Sequence, residues 1–273
     1  QAVSLKDEIM KNTIITASPT LTTSSNNTSD ASGLYASTDT NTGKPTYYFR
    51  GNVNNNYVSF AGFTWRIVRI NEDGTIRIIM QDGINSNANI VFNSNYNNYS
   101  YIYYTNSNAK TQLENWYQTN IGSNENLSSK VATGAYYCEQ AKVKYSDSLT
   151  LGSAAMTLYS SYTPDFKCTT DGNGKGVVSA SVGLLNYDEV VHAGGYYGKN
   201  NSNYYLYNSA IYWWTMSPAG FSGSDSYVWR VYSTGDIDSN SVSGTTRLRA
   251  VLSLNADTLV TGSGTSSDPY VVS

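Results

Sequence analysis

Charge is scarce in this chain of 273 residues, of which only 14 per cent are Asp, Glu, Lys or Arg. The net charge is −3 and no basic run occurs, so neither nucleic acid nor an anionic membrane surface is an expected partner. No stretch approaches the roughly 20 consecutive apolar residues that span a bilayer. The sequence begins at Gln1 without a start Met; we therefore expect membrane attachment only through a segment outside it.

Histidine and cysteine are also rare, with one histidine and two cysteines. His192 lies near the end of a predicted helix, where a lone histidine usually serves packing or the helix dipole, and no G-x-S-x-G motif accompanies it. We therefore predict no catalytic residue, no metal and no cofactor. Cys138 and Cys168 lack C-x-x-C spacing, which favours a disulfide and an oxidising, extracellular location at the cell surface. Two buried free thiols are the alternative.

The N-terminal 33 residues differ in composition from the rest. Ser4–Asn12 has the apolar spacing of a short helix. The Ser/Thr-rich residues 13–33 resemble a surface tether, which could be disordered or run as an ordered extended segment over the body. We predict a helix and tether over residues 1–33 and one domain over residues 34–273.

A β-hairpin is predicted where FTWRIVRI (Phe63–Ile70) and TIRIIM (Thr75–Met80) flank the turn dipeptide Asp73-Gly74. Apolar residues alternate along both runs, as they do in strands with one buried face. The predicted inward positions are Phe63, Trp65 and Ile67 on the first strand and Ile76, Ile78 and Met80 on the second.

Two helices are predicted in the middle of the chain. Residues 107–121 have helical apolar spacing and begin at Ser107, a favourable N-cap. In NYDEVVHAGG, Asn186 and Glu189 have the spacing of a capping box and Gly194 stands at the stop position. Three strand-like runs follow. This order predicts an α+β fold with small twisted antiparallel sheets and two principal helices.

The closing part of the chain resembles a known variant of the C-type-lectin-like fold. Its W-x-x-S-P strand stands at Trp214–Pro218, its glycine-containing strand pair at Val228–Asp236 and its last strand at Leu248–Val251, with Ala250 replacing the usual proline. Together with the hairpin and the NYDEVVHAGG helix, these motifs are similar to those of uncharacterised surface proteins of Firmicutes. The resemblance covers residues 34 to 272.

The variant is shared with formylglycine-generating enzymes, whose cysteine-bound copper site lies late in the domain. Both cysteines here precede Gly176, so the resemblance does not imply that activity. The fold also occurs in the variable proteins of diversity-generating retroelements, whose hypervariable surface lies in the C-terminal segment.

That resemblance implies an exposed recognition face in and around the stretch Ile211–Asn240, whose aromatic residues would alternate between core and surface. Tyr, Trp, Ser, Gly and Asn are residues that antibodies favour in binding loops. Ordinary strand and turn composition is the alternative explanation. The predicted ligand-binding residues are Tyr212, Trp213, Phe221, Ser224, Asp225, Tyr227, Trp229, Arg230, Tyr232, Asp236, Asp238 and Arg247.

Two short polar segments partly match calcium loops. GDIDSN supplies Asp236, Asp238 and Asn240 with EF-hand spacing, but positions six and twelve are not Gly and Glu. DGNGKG (residues 171–176) places a lysine where a ligand oxygen is needed. Polar turns therefore explain both segments better than a metal site.

The sequence thus predicts a non-catalytic, extracellular binding module of the adhesin or receptor type, whose ligand is a protein or a glycan. A structural subunit of a surface filament or pilus-like fibre is the alternative, with self-assembly through the terminal segments. The N-terminal Ser/Thr-rich stretch and the C-terminal GTSSDPYVVS could each reach a neighbouring subunit. The two functions do not exclude each other.

Overall fold

The computed structural model describes residues 1–21, 30–139, 163–168 and 177–273. The DGNGKG segment (residues 171–176) and part of the predicted tether (residues 22–29) lie outside the described residues. The fold is a mixed α+β arrangement, rich in small antiparallel sheets and with few helices. The coarse fold class predicted from the sequence is therefore confirmed.

Strands make up most of the regular structure. The strands are Val3–Ser4 (β1), Gly33–Ser37 (β2), Thr46–Arg50 (β3), Tyr57–Phe60 (β4), Phe63–Ile70 (β5), Ile76–Met80 (β6), Ile90–Val91 (β7), Ala135–Cys138 (β8), Val177–Ala180 (β9), Trp213–Phe221 (β10), Ser226–Val231 (β11), Ile237–Ser241 (β12), Thr245–Thr246 (β13), Val251–Leu254 (β14), Leu259–Thr261 (β15) and Tyr270–Val272 (β16). Among the described residues, nine strands form the largest sheet, in the order β1-β15-β16-β4-β5-β3-β2, with β6 beside β5 and β14 beside β6. All pairs in it are antiparallel except β16 with β4.

The predicted hairpin is confirmed as β5 and β6. Gly74 adopts a φ of 89°, a left-handed conformation that glycine enters without steric penalty. The Asp73 carboxylate accepts a hydrogen bond from the Thr75 main-chain N–H at 3.0 Å, which closes the turn. Trp65 and Ile78 are among the inward side chains and are fully buried.

Both predicted central helices are present. Ser107 caps Asn108–Tyr117, whose last turn widens into a π-helix over Gln118–Gly122. Asn186 and Glu189 form the capping box of the second, and Gly194 ends it with a φ of 128°. The helices are Leu5–Met10 (α1), Ile84–Asn87 (α2, a left-handed turn), Asn108–Tyr117 (α3), Glu125–Ser128 (α4) and Tyr187–Ala193 (α5), with 3₁₀ turns at Tyr99–Ile102 and Tyr104–Asn106.

Both chain ends are paired within the protein's own largest sheet. β1 pairs with β15, and β16 pairs with β4. Leu5 and Ile9 of α1 are buried in the same core cluster as Trp65. Ile15 donates a main-chain hydrogen bond to the Leu34 oxygen at 2.8 Å, so this described part of the predicted tether runs along the body as an ordered segment.

The second sheet consists of β10, β11 and β12 in that order. The expected alternation between core and surface is wrong for its tryptophans, because both faces of the sheet are covered. Trp229 packs against Tyr187 and Tyr197, with ring centroids 5.2 and 5.3 Å away. On the other face, the Trp214 ring contacts Phe92 at 5.7 Å. Two further sheets of the described residues have two strands each, β13 with β7 and β8 with β9.

Cys138 and Cys168 form a disulfide, as predicted, and their Cα atoms are 5.4 Å apart. The bond ties the end of β8 to the segment containing Phe166, which packs against Tyr48 of β3 at 5.2 Å. Of the helices in the described part of the chain, none combines the length and the apolarity needed to cross a bilayer.

Candidate binding surface

Five partly buried side chains meet at one end of the β10–β11–β12 sheet, and we call them the tyrosine–arginine cluster. Its members are Tyr212, Arg230, Tyr232, Asp238 and Arg247. The two tyrosine rings are stacked, with centroids 4.7 Å apart and planes 12° from parallel. All five belong to the predicted face, so the structure brings together part of that set.

Strand register explains why these residues meet. Arg230 lies directly opposite Asp238 on β12, and Trp213 lies opposite Val231. Because the pairing is antiparallel, the residue before Trp213 and the residue after Val231 also face each other, which stacks Tyr212 on Tyr232. Side chains alternate along a strand, so both rings project from the same face as Arg230.

The Arg230–Asp238 ion pair is bidentate. Arg230 Nε donates to Asp238 Oδ1 at 2.8 Å, and Nη2 donates to Oδ2 at 3.0 Å. The two hydrogen bonds fix the orientation of the guanidinium group. Its carbon lies 5.0 Å from the Tyr232 ring centroid and 5.7 Å from that of Tyr212, within the range of cation–π attraction.

Arg247 brings a second cation to the same rings. Its guanidinium carbon lies 5.8 Å from the centroid of the Tyr212 ring. Its main-chain N–H donates a hydrogen bond to the main-chain oxygen of Tyr212 at 3.0 Å. Within the described ranges, Arg247 forms no ion pair with a carboxylate, and its Nε atom has no hydrogen-bond partner. The cluster therefore carries one guanidinium more than it has carboxylates.

A strained turn borders Arg247. Asn85, Ser86 and Asn87 have φ values of 52°, 56° and 62°, a left-handed conformation that costs non-glycine residues about 1–2 kcal/mol each. A Cβ atom added at Gly83 would lie 3.0 Å from Arg247 Cβ, so the arginine stem packs tightly on this turn. Sequence reasoning missed the turn; its asparagines are the only signal, because asparagine tolerates this conformation better than most residues.

The other predicted face residues are placed elsewhere. Phe221, Ser224 and Asp225 lie at the β10–β11 turn, the opposite end of the sheet, where Asp225 accepts from Ser241 Oγ at 2.8 Å. Tyr227 is partly buried. Because side chains alternate along a strand, it projects from the face of the sheet opposite to that of Arg230. These residues are not part of the cluster.

Trp213 and Trp229 correct the predicted set. Their exposed fractions are 1 and 0 per cent, so neither side chain can contact a ligand in this conformation. Arg249 lies over the Trp213 ring at 4.9 Å, and Trp229 is held between two tyrosines. Both tryptophans belong to the core beneath the candidate binding surface.

The GDIDSN segment is a turn only at Gly235 and Asp236, because its other four residues belong to β12, so the predicted polar turn is wrong for most of the segment. Asp238 is engaged by Arg230, and Asp236 accepts a hydrogen bond from Thr234. Asn240 lies opposite Val228 on the next strand. Within the described ranges, no group of three or more His, Cys, Asp or Glu side chains is placed to hold a metal ion.

His192 lies in the core, with 3 per cent of its surface exposed. Its Nδ1 donates to the Asp188 main-chain oxygen at 2.7 Å, and its ring lies 4.0 Å from that of Phe166. Burial lowers the pKa of His192 to about 3, and the Arg50 and Arg69 guanidinium groups act in the same direction. The imidazole is therefore neutral at physiological pH, and its burial makes it inaccessible to a substrate.

The tyrosine–arginine cluster offers aromatic faces, hydroxyl groups and cationic donors, which are groups common in ligand-recognition sites. Comparison of the chain with protein-family models, with curated proteins and with solved structures finds no match. Function is therefore inferred from the geometry and chemistry of the surface.

Proposed function

We propose that this protein is a non-catalytic, extracellular binding module of the adhesin or receptor type, which recognises a protein or glycan through the tyrosine–arginine cluster. One observation carries the proposal: two stacked, partly exposed tyrosines lie against two guanidinium groups, of which only one is paired with a carboxylate of the described residues. The second, Arg247, has no ion-pair partner among the described residues.

The cluster resembles the centres of protein-recognition sites in composition. Tyrosine and arginine are enriched among residues that dominate binding energy, and tyrosine supplies contact area at low entropic cost. Here the rings are stacked, and Arg230 is fixed by its bidentate pair with Asp238. Because these side chains are already ordered, little conformational entropy remains to be lost on binding.

The proposed fold is the C-type-lectin-like variant that the sequence resembles. In support, Trp214–Pro218 lies in β10, Val228–Asp236 covers the end of β11 and the turn before β12, and Leu248–Val251 leads into β14. The middle of the chain contributes α3 and α5. The proposed extracellular, cell-surface location is supported by the Cys138–Cys168 disulfide, because such bonds persist in oxidising compartments.

Filament formation through the terminal segments is the alternative proposal. Donation of a terminal strand to a neighbour requires that strand to be available. Both described ends are instead paired internally, β1 with β15 and β16 with β4. A neighbouring subunit would have to displace these pairs, so we favour ligand binding.

A binding screen tests the proposal. We expect the labelled protein to bind at least one member of an array of immobilised glycans and extracellular proteins. The double substitution Tyr212→Ala/Tyr232→Ala should weaken that binding about tenfold or more, since truncating a central aromatic anchor removes roughly 2 kcal/mol. Tyr96→Ala is the matched control, because Tyr96 is 47 per cent exposed and lies outside the cluster.

Two outcomes would contradict the proposal. One is the absence of any binder at micromolar protein concentration. The other is equal affinity of the double variant and the Tyr96→Ala control for the same ligand.

A further inference from the structure

A cavity of about 640 Å³ lies between the β5–β6 hairpin and the disulfide. Its walls include Arg69, Arg77, Phe166 and the bonded cysteines Cys138 and Cys168. No member of the tyrosine–arginine cluster is among its described lining residues. The volume lies within the range of sites that enclose small organic ligands.

Two arginines face each other across the strands that form the inner wall. Arg69 on β5 is paired directly with Arg77 on β6, although like charges in this position destabilise an antiparallel pair. A β-bulge at Val68 produces the pairing, because it inserts one extra residue between the Ile67 and Arg69 positions. Bulges of this kind re-aim a side chain and are frequent beside functional sites.

In the described structure, one carboxylate pairs with both arginines. Glu189 Oε1 accepts from Arg77 Nη1 at 2.5 Å and from Arg69 Nε at 3.2 Å. The Arg77, Glu189 and Arg69 side chains are 2, 2 and 11 per cent exposed. Within the described ranges, two cations therefore share one directly paired anion at the base of the cavity.

The outer rim contains charges of both signs. Lys44 is exposed there, beside the carboxylates of Glu72 and Asp73. Glu72 Oε2 accepts from the Thr42 main-chain N–H at 2.9 Å, and Asp73 closes its own turn. These rim carboxylates are held in local hydrogen bonds, and neither forms an ion pair with Arg69 or Arg77. Glu72 still attracts the Arg69 guanidinium from the rim, so it offsets part of the positive charge at the inner wall.

Two buried polar atoms in the wall have no partner in the described part of the chain. They are Arg77 Nε and Asn71 Oδ1, and their residues are 2 and 9 per cent exposed. Buried polar atoms without a hydrogen bond cost about 1–3 kcal/mol each, so native proteins rarely keep them. Both residues line the cavity, so the two unpaired atoms lie within its wall.

We propose that this cavity binds a small organic molecule through a carboxylate group seated against Arg69 and Arg77. The planar fork of a guanidinium matches a carboxylate. Two guanidinium groups that share one directly paired carboxylate in the described structure suit a monoanion better than a doubly charged phosphate. The Arg69 guanidinium is stacked on Phe166 at 4.8 Å, which holds it in place for the ligand. The site is separate from the tyrosine–arginine cluster and does not depend on the function proposed for it.

Matched sugars test the proposal. D-glucuronate and D-glucose share a ring and differ in the carboxylate, and inorganic phosphate and sulfate serve as the other anions. Titration calorimetry at pH 7 and low salt should show glucuronate binding at least tenfold more tightly than glucose, phosphate or sulfate. Equal binding of glucuronate and glucose, or no binding of glucuronate at millimolar concentration, would overturn the proposal. Phosphate or sulfate binding as tightly as glucuronate would overturn the carboxylate assignment.

Two variants locate the site. Arg69→Gln should reduce glucuronate affinity at least tenfold. Because that change alters a buried charge, Lys44→Glu at the exposed rim provides a second test and should reduce affinity about threefold through repulsion. Lys199→Glu makes the same charge change at another exposed position and should have no effect. If neither Arg69→Gln nor Lys44→Glu differs from the Lys199→Glu control, the cavity is not the binding site.

Discussion

Replacing Glu189 by glutamine is expected to lower the free energy of unfolding by about 3–5 kcal/mol at pH 7. The substitution keeps the shape of the side chain but removes the only carboxylate paired with Arg69 and Arg77 in the described structure. Two buried guanidinium groups would then lack a counter-charge. The capping box would also lose its charged acceptor for the Asn186 N–H, now at 3.1 Å.

Urea unfolding followed by circular dichroism measures this effect. Glu114→Gln is the matched control, because Glu114 pairs with Lys110 one helical turn away at the surface. Exposed pairs of this kind contribute about 0.3–0.5 kcal/mol, so the control should unfold almost like the wild type. A Glu189→Gln variant within 1 kcal/mol of the control would show that the buried arginines do not need this partner.

Acidification from pH 7 to pH 5 is expected to reduce the free energy of unfolding by about 2 kcal/mol through His192 alone. Burial lowers the pKa of this residue from 6.5 to about 3 in the folded chain. The unfolded chain therefore takes up the proton first as the pH falls. The stability linked to neutral His192 is fully present above about pH 7 and is lost as the pH falls through 6.5 towards 3.

The chain contains no other histidine, which makes this effect separable from the carboxylates that titrate at lower pH. Urea unfolding at pH 7, 6 and 5 should show the decline in the wild type and a much flatter profile in His192→Gln. Equal slopes for the two proteins would contradict the assignment of a buried, neutral imidazole.

Local signals predicted the elements that they control directly. Asp73-Gly74 fixed the β5–β6 turn, and Asn186 with Glu189 fixed the start of α5, because turn and cap chemistry acts within a few residues. The disulfide followed from an even number of cysteines without metal spacing. In each of these cases, the decisive interaction is close in sequence or limited to one possible pair.

Burial and side-chain direction on the closing strands depended on distant segments. The aromatic pattern of β10 and β11 could not show that Phe92 covers one face and Tyr197 the other, which buries Trp214 and Trp229. The same limit applies to the cavity. The bulge at Val68 depends on how β5 pairs with β6, and no local sequence pattern indicates it.

The most direct test of recognition by the tyrosine–arginine cluster is hydroxyl-radical footprinting of the protein with and without the tightest ligand from the array. Oxidation of each tyrosine is quantified by mass spectrometry, and Tyr96 and Tyr99, which are 47 and 46 per cent exposed, are internal controls. We expect the ligand to protect Tyr212 and Tyr232 and to leave Tyr96 and Tyr99 unchanged. Protection of Tyr96 or Tyr99 with unaltered oxidation at Tyr212 and Tyr232 would contradict the account.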